Sequence, residues 1–210
     1  ALDHGRREVR MPGTGGRRPP PWVAGVERVL ADAFADGRRR LYEHEVYEVL
    51  RELDLATPVY LFARAQADIT RSSLSAIGSE RVVLKVVSPE VAHKQKAGGV
   101  RMVHKDLDFV RYSAARMRES FERRGVPVAG FLIVEEVRHS KELGNEILLG
   151  FRESQAFGPV ISFSKGGSDA EHFAAHFSPP NLIIAPIERE WASALQASTP
   201  NHLKLRDEGK

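Results

Sequence analysis

The chain has 210 residues, 42% hydrophobic and 28% charged, with 31 Lys and Arg against 28 Asp and Glu for a net charge of +3. That balance suits one large or two small soluble domains, and no apolar run reaches the roughly 18 residues of a membrane-spanning helix. Cysteine is absent, which excludes disulfides, thiolate metal sites, iron–sulfur clusters and cysteine nucleophiles, while the small, scattered cationic surplus requires no nucleic-acid partner.

In chain order, residues 1–21 mix Arg6, Arg7, Arg10, Arg17 and Arg18 with Gly13, Gly15, Gly16 and Pro19 to Pro21. Too little apolar surface is present to offset the entropy of ordering, so this stretch reads as a basic linker. It precedes a domain over 22–200 and a polar tail at 201–210. The first residue is Ala rather than Met, which fits a domain cut from a longer polypeptide. Leu41, Val46, Val49, Leu50 and Leu53 then recur at helical spacing, predicting an amphipathic helix from Tyr42 to Leu53. Pro58 interrupts, and Val59 to Phe62 reads as a short strand.

Val82 to Val87 is β-branched, apolar and stopped by Ser88 and Pro89, which predicts a buried central strand with Lys85 in its middle. Val100 to Val103 reads as extended. Asp106 caps a helix whose inner face is Val110, Ala114, Met117 and Phe121, ended by Gly125 and Pro127. Phe131 to Val134, Glu146 to Phe151 and Val160 to Phe163 are three further strands. Strands able to pair antiparallel, mixed with helices, give an α+β (mixed α/β) fold class.

A Lys inside an apolar strand needs an anion, such as phosphate, a partner, or solvent reached by snorkelling from a sheet edge. Directly after it, His93 is followed by Lys94 and Lys96 and by the paired Gly98 and Gly99. A neutral imidazole there can accept a phosphoryl group, with lysines stabilising the charge; the alternative is a solvated basic loop. Glu135 and Glu136, followed by Val137, and later Glu142 and Glu146, are carboxylates able to face a nucleobase, a ribose or magnesium, or simply water. Gly166 and Gly167 loosen a turn after a strand, with Asp169 and Glu171 as candidate cation ligands. His172 and His176 are four apart beside Glu171, but without a third ligand they do not make a zinc site.

Taken in order, these segments resemble the ATP-grasp (β-subunit-like) domain of NDP-forming acyl-CoA synthetases, the group that includes ADP-forming acetate–CoA ligases. The likeness runs from about Tyr42 to Ile187. Its specific part is the block Val83, Leu84, Lys85, Ser88, Pro89, His93, Lys94, Gly98, Gly99 and Val100. Glu135, Glu146 with Gly150, and Phe157, Gly158, Pro159, Gly166, Gly167 and Glu171 echo later family features.

The resemblance implies two α+β subdomains that clamp ATP, and a ligase reaction joining an acyl group to CoA through phosphohistidine. It implies His93 as the catalytic phosphoryl carrier and Lys85 as a phosphate contact. Lys94, Gly98 and Gly99 belong to the same phosphate-facing block. Glu135, Glu136 and Val137 line the adenine hinge, Glu146 faces the nucleotide, and Glu171 binds Mg2+. Coenzyme A and acyl phosphate are handled by a CoA-binding/ligase domain or α-subunit outside this chain, in the cytoplasm, with no membrane or specific nucleic-acid partner. The chain stops before the family's terminal acidic-Asn-Pro strand, and Gly166 to Ile187 departs from the family pattern. Two further readings therefore stand beside the enzyme: a non-catalytic ATP-grasp module that senses nucleotide or serves as a scaffold, and a nucleic-acid binder using the Arg-rich tether.

Overall fold

In a computed structural model, residues 20–91, 94–139, 146–167, 182–185, 187 and 189–197 are described. They divide into two compact units, one ending at Val137 and the other beginning at Arg138.

The first unit opens with helix α1, Pro21–Ala35, where a proline at the first turn pre-sets φ and loses no needed donor. Val29 and Ala33 are its buried positions. Helix α2, Glu43–Glu52, starts where Glu45 Oε2 accepts from the Tyr42 backbone N–H at 2.6 Å. Acidic Glu43 and Glu45 in the first turn also suit the positive end of the helix dipole. Strand β1, Tyr60–Ala63, leads through a 3-10 turn at Gln66–Asp68 to the short helix α3, Arg71–Ser75, capped by Thr70.

Strands β2, Arg81–Val87, and β3, Val100–His104, come next. Helix α4, Leu107–Glu122, follows with Asp106 Oδ1 accepting from the Phe109 N–H at 2.8 Å. Its chain turns back through Gly125 at φ 71° into strand β4, Gly130–Glu135. The four strands form one antiparallel sheet in the order β1-β4-β2-β3.

Period-two alternation on β2 divides the sheet's two faces. Val82, Leu84 and Val86 pack with Val110, Ala114, Met117 and Phe121 of α4 and with Ile69, Leu74 and Ile77 in the main core. On the other face Val87, Leu132 and Val134 meet Tyr42, Tyr47, Tyr60 and Phe62. Lys85 lies opposite Leu132 in register and so shares this second, aromatic face.

In the second unit, strand β5, Ile147–Ser154, and strand β6, Gly158–Lys165, form an antiparallel hairpin. Strand β7, Leu182–Ile184, adds to β6. Helix α5, Arg189–Ala197, follows. No helix among the described residues is long and apolar enough to cross a membrane.

Every helix and strand expected from the sequence is present, with ends moved by at most three residues. The structure adds α1, the 3-10 turn, α3, β7 and α5. The sheet-edge explanation of Lys85 is overturned, because β2 is an interior strand hydrogen-bonded to both β3 and β4.

Candidate functional site

The amine of Lys85 leaves the aromatic face of the sheet and donates to Glu43 Oε1, at the first position of α2. Lys94 Nζ reaches the other oxygen of the same carboxylate, Oε2, at 3.2 Å. One turn further along α2, the Tyr47 hydroxyl donates to Oε1 at 2.9 Å. All three charged side chains are largely shielded, with 19–25% of their surface exposed. A single carboxylate thus gathers two ammonium groups that are remote from it in sequence.

Burial acts to raise the Glu43 pKa, yet the Lys85 hydrogen bond and the Lys85 and Lys94 charges outweigh it, leaving the carboxyl below its ordinary value. It is an anion at neutral pH. Burial, with the neighbouring Glu43 charge, pushes the Tyr47 phenol up, so Tyr47 stays a donor.

Lys94 is positioned by the turn that follows it. Gly98 has φ 75°, open to glycine at no steric cost. The Gly98 and Gly99 N–H groups donate to Gln95 O at 3.1 Å and Lys94 O at 2.7 Å, and Gly99 O accepts from Val86 N–H at 2.8 Å. A Cβ on Gly99 would overlap Val86 and lie 3.1 Å from Phe121 Cζ. The paired glycines therefore shape the turn and seat it on the core, and their amides already have internal acceptors. Ala92 and His93 lie outside the described residues.

Of the hinge residues, Glu135 Oε1 accepts from the Val59 N–H at 2.8 Å, tying β4 to the chain entering β1. Glu136 Oε2 stands 3.7 Å from Arg81 Nε, and its N–H donates to Ser79 Oγ at 3.2 Å. Both carboxylates thus serve local contacts. Val137 is exposed at the end of this unit.

Beside the Glu43 cluster, a cleft of about 440 Å³ is lined by Arg38, Tyr42, His44, Phe62, Arg64 and Pro89 among others. Arg38 forks onto Glu45 at 2.8 and 2.6 Å and lies 4.1 Å above the Tyr42 ring. His44 stacks on Phe62 with centroids 3.8 Å apart, and its Nδ1 is buried without a hydrogen-bond partner. Burial lowers the His44 pKa, and the nearby Arg38, Lys94 and Arg64 charges add to that against the pull of Glu45.

In the second unit Glu146 lies 3.7 Å from His139 Nε2, and its carbonyl accepts from the Gly166 N–H at 2.8 Å. Gly167, at φ 84°, lets the chain pass close to the Glu146 carboxylate, where any Cβ would collide. Glu146 and the Gly166–Gly167 turn are therefore one local constellation. Asp169, Glu171, His172 and His176 lie outside the described residues. Among the described residues, no group of three or more His, Cys, Asp or Glu could hold a metal ion.

Sequence reading found both lysines but missed Glu43 and Tyr47. Their i, i+4 spacing on α2 was legible, but an acidic residue in a first helical turn already has a local explanation in the helix dipole.

The profile of the ATP-grasp domain family matches residues 32–208. The chain is 29% identical over 171 residues to the β subunit of acetate–CoA ligase (ADP-forming) I from Pyrococcus furiosus, covering 80% of this chain and 68% of that one. It is 30% identical over 151 residues to 4-hydroxybutyrate–CoA ligase (ADP-forming) from Nitrosopumilus maritimus, covering 69% of this chain and 20% of that one. The chain thus spans about two thirds of the first of these proteins and a fifth of the second.

Its fold matches the dinucleotide forming acetyl-coenzyme A synthetase 1 of Ca. Korarchaeum cryptofilum, in complex with coenzyme A and Ca-AMPCP. The TM-score is 0.71 at 24% identity, covering 85% of this chain and 75% of that one. A second structure of that protein, with Mg-AMPPCP, has a phosphohistidine segment pointing towards the nucleotide binding site; there the TM-score is 0.63 at 23% identity, with 86% and 74% covered.

Proposed function

Because the chain belongs to the ATP-grasp domain family, we propose that it is the nucleotide-binding part of an ADP-forming acyl-CoA synthetase, acting with CoA-binding and ligase domains outside this chain. The observation that carries this reading is the pair of ammonium groups, Lys85 and Lys94, held side by side next to the block that contains His93. Two adjacent cations in a shielded, partly apolar setting suit the oxygens of a polyphosphate better than any neutral ligand.

In this reading Lys85 and Lys94 bind the phosphates, and His93 carries the phosphoryl group between nucleotide and the acyl-CoA chemistry of the partner domains. The imidazole nitrogen attacks the terminal phosphorus, the bond to the bridging oxygen breaks, and ADP leaves with that electron pair. With the Glu135 and Glu136 carboxylates and the Glu136 N–H engaged locally, the hinge meets adenine through the Glu136 carbonyl and the backbone of Val137. Glu146, beside the Gly166–Gly167 turn, faces the ribose or phosphates. Magnesium, with Glu171 as its ligand, neutralises charge on the phosphoryl oxygens when bound.

The cytoplasm is the proposed site of action. The scaffold reading has less support, since the named relatives are ADP-forming CoA ligases.

Incubation with magnesium and γ-phosphate-labelled ATP tests the proposal. Label that is stable to base, labile to acid and absent from His93→Ala is the expected result. A chain that binds Mg-ATP but takes up no label at His93 would contradict the phosphohistidine role.

A further inference from the structure

Glu43 is the anion that Lys85 and Lys94 share. Its two carboxylate oxygens contact the two amines separately, Oε1 that of Lys85 and Oε2 that of Lys94. The pair of lysines plus this carboxylate carries one net positive charge. With phosphoryl oxygens added, the same lysines face two competing anions within one shielded space, and Coulomb repulsion between those anions is weakly screened there.

We propose that Glu43 is a built-in counter-ion, which holds Lys85 and Lys94 together while no anion is bound and is exchanged for phosphoryl oxygens when one arrives. The claim rests on the nucleotide-site reading only for the identity of the anion; the exchange itself requires nothing more than a polyphosphate. Tyr47 gives the carboxylate somewhere to stay, because its hydroxyl still donates to Oε1 after the lysines leave. Without Glu43, two shielded ammonium groups would repel each other at the C-terminal half of β2, which explains why an acid sits at the start of α2 at a cost in anion affinity.

The alternative role for Glu43 is to orient the lysines for the ligand, and the two roles give opposite signs. If Glu43 competes, Glu43→Gln binds polyphosphate more tightly; if it orients, the variant binds more weakly.

The test uses the full chain, wild type and Glu43→Gln, with inorganic tripolyphosphate and Mg-ADP as titrants and with acetic anhydride labelling of each lysine read by mass spectrometry. Labelling reports on the ion pairs without any ligand, because an amine held against a carboxylate in a shielded contact is less open to the reagent than one released from it.

The expected result is faster acetylation of Lys85 and Lys94 in Glu43→Gln, together with tripolyphosphate binding about five- to twentyfold tighter, the scale of one charge-assisted contact. Unchanged acetylation of both lysines would overturn the proposal, since the ion pairs would then be absent in solution. Faster acetylation with unchanged or weaker tripolyphosphate binding would overturn it in favour of the orienting role. Should Glu43→Gln disturb folding, Glu43→Asp provides the second variant: its shorter side chain keeps the charge but withdraws it from the amines, and the same directions are expected at smaller size. Tighter tripolyphosphate binding with no Mg-ADP binding by either protein would uphold the exchange while removing the nucleotide reading.

Discussion

The two units invest their apolar residues differently. In the first, Val82, Leu84, Val86, Val110, Met117, Phe121 and Phe131 are all within about 1% of complete burial. In the second, Val160 is the one buried hydrophobic among the described residues, and Leu149 and Phe151 on β5 are 68% and 70% exposed. Tight packing around β2 fixes the strand that carries Lys85, and helix α2 is laid on the same sheet by Tyr42, Tyr47, Tyr60 and Phe62. A rigid sheet thus presents Lys85, and the turn at Gly98 and Gly99 seats Lys94 against the same core, whereas Glu146 and the Gly166–Gly167 turn are held by hydrogen bonds and backbone geometry.

The largest expected effect would break this contrast at its core. Phe121→Ala removes a fully buried ring beneath both β2 and the Gly99 turn and should cost about 3–5 kcal/mol. Phe151→Ala, on the exposed strand, should change stability by no more than about 0.5 kcal/mol. Chemical denaturation followed by circular dichroism measures both, and equal losses would erase the distinction between the units.

A smaller effect concerns the seat of α2. Glu45→Ala removes the shielded fork with Arg38 and the acceptor for the Tyr42 N–H, with an expected loss of about 2–3 kcal/mol. The same measurement checks it, and a loss below about 1 kcal/mol would mean that the helix is seated by its aromatic contacts alone.

The smallest effect sharpens the comparison through pH. Burial depresses the folded pKa of His44 below its unfolded value of about 6.5, so the folded state takes up the proton less readily. The stability it contributes is fully present above about pH 6.5 and is lost as pH falls from there through the folded value. His44→Phe, stacked on Phe62 but without a titrating nitrogen, should flatten the slope of melting temperature against pH below about 6.5. An unchanged slope would assign the acid sensitivity to other groups.

Much of the first unit was legible in the sequence because its pattern is strong. The β-branched apolar run of β2, the α4 stripe of Val110, Ala114, Met117 and Phe121, and the Asp106 cap each have one physical meaning, and the structure bears out all three. Helix α1 was missed because its apolar residues follow directly on an Arg, Gly and Pro run, and β7 because three residues are too few to show a period.

Within the candidate site, Lys85 and Lys94 announced themselves by placement: one a charge in an apolar strand, the other inside a motif. Glu43 did not, because its significance is a contact 42 residues away in sequence. The resemblance puts Gly98 and Gly99 in the phosphate-facing block, while the structure uses them to bring the Lys94 turn against Val86 and Phe121.

The central claim is that Lys85, fixed on an interior strand, binds the phosphates of a nucleotide. Titration calorimetry of Mg-ATP into wild type and Lys85→Ala, with melting temperatures as the folding control, tests it directly. The account predicts a loss of affinity of about tenfold or more in a variant that remains folded. Equal affinity in the two proteins would contradict it.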